Sequence, residues 1–136
     1  RHTRLLTVTG VQTCALPICA STGLGWAASP QEMLAAYNQA AGQSAQEALG
    51  QTFFTSNHGK EWSCSTCHTK KPTSDGQHAA TRKVISPLAP SANPTRFTDI
   101  AKTEKWFRRN CNDVLGRECT ASEKANALAW LISLKP

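Results

Sequence analysis

"CSTCH", residues 64 to 68, decides how the rest of this chain is read. Two thiols three positions apart, followed at once by an imidazole, make the pattern C-x-x-C-H, the attachment signature of a c-type haem. The spacing has a chemical reason: thiols placed so on one tight turn can each add to a vinyl group on the same edge of a porphyrin. The next residue, His68, is then carried under the iron as the proximal ligand. One covalent haem c, held by Cys64 and Cys67 and ligated by His68, is therefore the expected cofactor. Zinc would need two more ligands at suitable spacing, and Cys111 and Cys119 are too far apart for a second knuckle. A thioredoxin-like dithiol would need a βαβ setting, and the chain shows no strand alternation.

Around this motif the helix signals are explicit. Ser29-Pro30-Gln31-Glu32, Ser44-Ala45-Gln46-Glu47 and Thr120-Ala121-Ser122-Glu123 each carry the S/T-x-x-E capping box, the first with proline at the opening helical position. They predict helices of about 12, 12 and 15 residues, the first stopped by Gly42. A fourth helix is expected from Thr98 to Asn112, with Lys105, Arg108 and Arg109 late in it, where the macrodipole favours cations. Ile100, Thr103, Phe107 and Asn110 share one face of that helix. With Ile100 and Phe107 against a haem, Asn110 would come with them. Between Cys67 and Thr98 lies a long segment rich in proline and serine, and loops of that length usually wrap something. Here the expected object is the haem.

The other end of the chain calls for exclusions. Residues 8 to 18, "VTGVQTCALPI", resemble the translation of a sequencing-library adapter, and Arg1–Ile18 is read as non-biological. "CASTGLGWAASPQ" follows, with the small apolar residues of a signal-peptide remnant running to its cleavage site. The expected division is a leader over 1–28 and one monohaem cytochrome c domain over 29–136, exported to a bacterial periplasm. Cys14 and Cys19 fall in the leader, which leaves four of the six cysteines in the domain. Without Arg1 and Arg4, 13 basic side chains face 9 acidic ones, a net charge of +4. The cations are scattered and no nucleic-acid motif accompanies them, so charge alone points to an acidic protein face or to no partner, rather than to DNA or RNA. No apolar run is long enough to span a membrane.

The sixth iron position is open to several readings. The single methionine, Met33, stands upstream of the haem motif, which argues against the His/Met pair of an ordinary electron carrier. His58, His78, a lysine, Asn110, Asn112 or no protein ligand remain.

Two resemblances narrow this. Gly50-x-x-x-Phe54 together with "ALAWL" (127–131) resembles the crossed terminal helices of a class I cytochrome c, glycine letting the backbones approach while Phe54 and Trp130 fill the crossing. Residues 87 to 131, "PLAPSANPTRFTDIAKTEKWFRRNCNDVLGRECTASEKANALAWL", closely resemble the SHP (sphaeroides haem protein) family of high-spin cytochromes c, also grouped under a domain of unknown function. The likeness extends over nearly all of 29–136. It implies an all-α, class I cytochrome c fold with about four helices and a haem-wrapping loop. It also implies that Asn110 ligates the ferric iron, that Cys111 and Cys119 form a disulfide, and that the partner is a dihaem cytochrome c or a membrane cytochrome b. An amide oxygen is a hard, weak ligand, so reduction should release it and admit O2 or NO. On this reading the protein is a ligand-binding redox carrier rather than an enzyme, since no proton donor is placed near the distal side. The alternative is a low-spin shuttle in which His68 pairs with His58 or His78 and gases never bind. Trp62 and Trp106 are read as haem-pocket packing. Arg82, Lys83 and Arg96 are candidates to pair with haem propionates.

Overall fold

The computed structural model describes residues 27–136, so the expectations for the adapter-like segment and for the leader up to residue 26 lie outside the described residues. Two of the three capping boxes open helices as expected. At α1, Pro30–Ala41, the Ser29 hydroxyl accepts from the Glu32 N–H (3.0 Å) while the Glu32 carboxylate accepts from the Ser29 N–H (2.8 Å). The helix stops at Gly42. At the last helix, Thr120 and Glu123 make the same exchange at 3.1 and 2.8 Å.

The middle box is not used. Helix α2 spans Glu47–Thr55, nine residues, and opens at Gln46 without a side-chain cap. The N–H groups ahead of it find acceptors on other helices: Ala45 donates to Asn38 Oδ1 (2.9 Å) and Gln46 to Asn126 Oδ1 (2.8 Å). Tertiary acceptors have displaced the local one, and the helix starts later than its sequence signal. A five-residue helix α3, Cys64–His68, follows.

The segment between α3 and the fourth helix also differs from expectation. It contains a small antiparallel hairpin, β1 (Gly76–Gln77) on β2 (Val84–Ile85), with Gly76 opposite Ile85. Helix α4 runs Ile100–Leu115, capped by the Asp99 carboxylate on the Lys102 N–H and ended by a left-handed Gly116. It thus continues past Asn112, because Gly116 is the first residue there that adopts the φ of 75° that closes it. Lys105, Arg108 and Arg109 fall in its middle, and its last turn carries no cation, contrary to the macrodipole reading. Helix α5, Ala121–Ser133, is 13 residues long. The fold is all-α in class, with five helices and one two-stranded hairpin among the described residues.

The core is organised by α5. A methyl group built on Gly50 would lie 1.9 Å from the Asn126 carbonyl oxygen and 3.0 Å from Trp130 Cβ, so α2 and α5 touch backbone to backbone at that point. One turn on, the Phe54 and Trp130 rings meet with centroids 5.1 Å apart, and Leu131 completes the cluster. The opposite side of α5 packs Ala125 and Leu128 on Met33 and Tyr37 of α1. Met33 is only 2% exposed and is packed on Tyr37, Ala125 and Leu128 in that cluster. Burial of each such large apolar side chain stabilises the fold by roughly 1.5–3 kcal/mol.

Two consequences are measurable. Gly50→Ala is expected to lower stability by about 3 kcal/mol, the upper range for forcing atoms into a packed contact. An unchanged midpoint in denaturant unfolding would show that the helices part at no cost. At the α5 cap, Glu123 is held below the usual carboxylate range chiefly by the Arg117 hydrogen bond, which with the Thr120 N–H outweighs burial. Its folded value lies below its unfolded one, so its stabilisation is full above the unfolded value and is lost as pH falls through the folded one. Unfolding midpoints taken down through the acid limb should fall less steeply for Glu123→Gln than for the parent protein.

Candidate functional site

Helix α3 is built from its own hydroxyls. The Ser63 N–H donates to Thr66 Oγ1 (2.9 Å), and the Ser63 hydroxyl, which is buried, meets the hydroxyls of Ser65 (2.8 Å) and Thr66 (3.2 Å). The helix crossing forms its floor: Cys64 packs on the Phe54–Trp130–Leu131 cluster, and the His68 ring lies 6.1 Å from the Phe54 ring. Directly after His68 the chain turns at Thr69 with φ 64°, a strained setting for a β-branched residue and of the kind that collects at functional sites.

The hairpin clamps the other flank. A Cβ on Gly76 would fall 2.0 Å from the Cys67 carbonyl oxygen and 3.0 Å from His68 Cα, so only glycine lets β1 lie so close to α3. The Ala79 N–H donates to Cys67 Sγ at 3.4 Å. An open cleft between the two elements is lined by Thr66, Cys67, Gly76, Ala79, Arg82 and Val84.

The electrostatics of the motif suit a haem. Burial pushes the Cys64 thiol up to about 11, so it remains protonated and a poor nucleophile in water. Burial, with the Arg96 charge nearby, pushes His68 down to about 4, which keeps its imidazole neutral with a lone pair to offer a metal. Among the described residues no group of three or more His, Cys, Asp or Glu side chains converges, at Cys64 and Cys67 or elsewhere. Two thiols and a neutral imidazole on one short helix fit covalent haem c.

The candidates for the distal position separate by what their side chains already do. His58 sets Nε2 2.8 Å from the Phe53 carbonyl oxygen, so that nitrogen carries the proton, and its ring lies against Phe53. His78 Nδ1 accepts from the N–H groups of Ala80 (3.2 Å) and Thr81 (3.1 Å), which puts the proton on Nε2 and commits the ring to the hairpin turn. Asn112 is exposed and donates to the Arg108 carbonyl at 2.7 Å. Asn110 is half-buried, and its amide has no hydrogen-bond partner among the described residues.

Two stripes of α4, offset by a single residue, explain the setting of Asn110. Glu104, Phe107 and Cys111 are engaged with α1 and the start of α5; Thr103, Trp106 and Asn110 occupy the neighbouring stripe, about 100° around the helix. Phe107 is thus turned to the α1–α5 core rather than left free for a haem as the one-face reading supposed. Its ring stands edge-on to Tyr37 at 5.8 Å, inside the α1–α5 core. Thr103 is buried, whereas Ile100 and Trp106 are large apolar side chains left 49% and 42% exposed. Trp62 is half-buried. Of the three proposed propionate partners, Arg82 and Lys83 are exposed on the hairpin, while Arg96 is half-buried near His68 with its guanidinium on the Ser86 and Pro87 carbonyls.

Sequence reasoning missed one group altogether. The Tyr37 hydroxyl donates to Glu104 Oε1, and Lys124 Nζ donates to Glu104 Oε2 at 2.8 Å, linking α1, α4 and α5. These residues are distant in sequence and sit in no motif, so no local spacing could have joined them.

Cys111 and Cys119 form a disulfide with Cα atoms 5.6 Å apart, both cysteines buried. The bridge ties the residue after Asn110 to the approach to α5. The nearby Arg108–Glu118 pair (3.2 Å) is well exposed and adds little.

Comparison with known proteins gives a consistent result. The family model for a domain of unknown function, DUF1924, matches residues 39–131. The cytochrome c-type protein SHP of Cereibacter sphaeroides is 48% identical over 118 residues, covering 84% of this chain and 91% of that protein. The solved structure of oxidized SHP, described as an oxygen binding cytochrome c, superposes with a TM-score of 0.75 at 49% identity, covering 79% of this chain and 99% of that one. The solution structure of cytochrome c'' from Methylophilus methylotrophus, described with the basis of haem-ligand detachment, gives 0.70 at 37% identity, covering 79% and 94%.

Replacing both Cys111 and Cys119 by alanine is expected to lower stability by roughly 2–3 kcal/mol, the chain-entropy value for so short a loop. Denaturant unfolding of the parent with and without reductant would check this. Equal midpoints would mean that the bridge does not constrain the unfolded chain.

Proposed function

We propose a function from the premise that this chain belongs to the DUF1924 family and is an SHP-type cytochrome c, with covalently bound haem c as its cofactor. In this reading Cys64 and Cys67 carry the thioether links, His68 is the axial ligand, and residues 29–136 form the monohaem domain. Haem supplies a one-electron change at iron and a coordination position for a small gas. The chain supplies a choice of distal ligand, and we assign that role to Asn110.

The observation that carries the assignment is that the Asn110 amide has no hydrogen-bond partner among the described residues, whereas His58, His78 and Asn112 are each held by local hydrogen bonds. A neutral amide oxygen prefers the harder ferric state, and in the ferrous state its hold is weak. Release of the amide would leave the position free for O2 or NO. SHP is itself described as oxygen binding, and cytochrome c'' in terms of ligand detachment, which supports the same behaviour here.

The protein acts, on this reading, as a redox carrier with a gas-binding position. Its net positive charge suits an acidic redox partner, such as a dihaem cytochrome c or the soluble face of a membrane cytochrome b. Among the described residues no helix is long and apolar enough to cross a membrane. Haem attachment and the Cys111–Cys119 bridge both suit the periplasm.

Visible spectra of the ferric and ferrous holoprotein, with and without CO, test the proposal. A broad high-spin ferrous spectrum that sharpens at once on adding CO is expected, and Asn110→Ala should alter the ferric spectrum alone. Sharp low-spin ferrous bands with no response to CO would sink it, leaving a bis-histidine shuttle with His58 or His78 as the second ligand.

A further inference from the structure

We propose that Tyr37, Glu104 and Lys124 form a positioning device that sets the roll of α4 and so holds Asn110 in register for its ligand role. The inference rests on the reading of Asn110 given above and adds three residues to it.

Helix α4 buries Thr103, Cys111 and Val114 and sets Phe107 against the α1–α5 core. It is attached at its start, where the Ala28 N–H donates to the Thr98 carbonyl (3.0 Å), in its middle by the Tyr37–Glu104–Lys124 group, and near its end by the disulfide. The start holds the helix by backbone outside the helix proper, which leaves rotation about the axis to the other two and to the packing of Phe107. A roll of about 10° moves a side-chain tip 5–6 Å from the axis by about 1 Å, enough to weaken a coordinate bond. Glu104 and Cys111 lie on one stripe, at i and i+7, and Asn110 lies on the next stripe round. Fixing the first stripe fixes where the second one faces.

The group is suited to that task. Tyr37 is buried between α1 and α5, and its hydroxyl is directed to one oxygen of the Glu104 carboxylate while Lys124 takes the other. Lys124 Nζ also stands over the rings of Tyr37 (5.7 Å) and Phe107 (5.8 Å), so its charge also draws the Phe107 ring of α4 toward the Tyr37 ring of α1. Burial first, and then the carboxylate, push the Tyr37 phenol above its ordinary range. Burial opposes ionisation of Glu104, but the hydrogen bonds from Lys124 and Tyr37 and the charges of Lys124 and Arg108 outweigh it and hold its carboxyl low. Donor and acceptor roles are thereby fixed at neutral pH. The arrangement uses an ionic acceptor and two donors where apolar packing would have sufficed to bury the residues, and ionic hydrogen bonds specify geometry that apolar contacts do not.

The test is a pair of crossed variants read at the iron. Ferric holoprotein is titrated with imidazole, which competes with the distal ligand, and binding is followed by visible absorption. Thermal melts by circular dichroism are recorded on the same samples. Tyr37→Phe, which keeps the ring and removes one oxygen, is expected to bind imidazole about tenfold more tightly, the equivalent of one lost hydrogen bond to a charged group. Lys124→Met, as the second variant, should shift it in the same direction. In an Asn110→Ala background neither change should alter imidazole affinity.

Each other outcome overturns the proposal in a recognisable way. If Asn110→Ala alters the ferric spectrum but Tyr37→Phe and Lys124→Met leave imidazole affinity unchanged, the positioning role falls and the ligand assignment stands. If Tyr37→Phe tightens binding equally with and without Asn110, the group acts on the pocket by another route. If Asn110→Ala changes nothing at the iron, the ligand assignment falls and takes the positioning role with it.

Discussion

The structure depends on one contact, the approach of α2 to α5 at Gly50. Because Gly50 has no side chain, the two backbones touch at Asn126, and this brings Phe54 and Trp130 close enough to share a cluster. That cluster is the surface on which Cys64 rests and against which the His68 ring is set. A larger residue at position 50 would move the floor of the haem motif as well as the helix. The same α5 presents Ala125 and Leu128 to α1 on its other side, so one buried helix aligns the motif and the Tyr37 end of the core together.

Much of this was legible in the sequence because the relevant signals are local. The C-x-x-C-H turn, the Ser29 and Thr120 capping boxes and the Gly50-x-x-x-Phe54 spacing each state their geometry within five residues. What was not legible is what depended on partners far away. The Ser44 box failed because Asn38 and Asn126, from two other helices, satisfied the N–H groups that a local cap would have served. The end of α4 was placed too early because nothing in "NCND" stops a helix, whereas Gly116 does. The hairpin at Gly76–Ile85 is too short for alternation to register, and its glycine is required by the Cys67 carbonyl rather than by a turn. Phe107 matched the period of Asn110 but was claimed by Tyr37, since a sixteen-residue helix offers more than one apolar edge.

The distal candidates show why residue type alone could not decide the sixth position. Histidine is the better iron ligand in general, and two were available. Their ring nitrogens, however, serve the Phe53 carbonyl and the hairpin turn, and withdrawing either ring would leave backbone groups unsatisfied. The Asn110 amide has no such obligation among the described residues. Competition from local hydrogen bonds, rather than intrinsic affinity, favours the weaker donor in the proposed site.

A weak ligand places a particular demand on the scaffold. A strong ligand can pull its own backbone into position, since the bond repays the distortion. An amide oxygen cannot, so its helix has to be placed beforehand by other means. Here the residue after Asn110 is bonded covalently to Cys119, and the middle of α4 is held by a carboxylate shared between a phenol and an ammonium. With the backbone fixed at both points, departure of the proposed ligand would be a side-chain rotation and would leave the helix where it stood. That distinction bears on rate: side-chain rotation is far faster than movement of a helix. Rigid anchoring of α4 and reversible ligation by Asn110 are, in that sense, one design requirement met at two places.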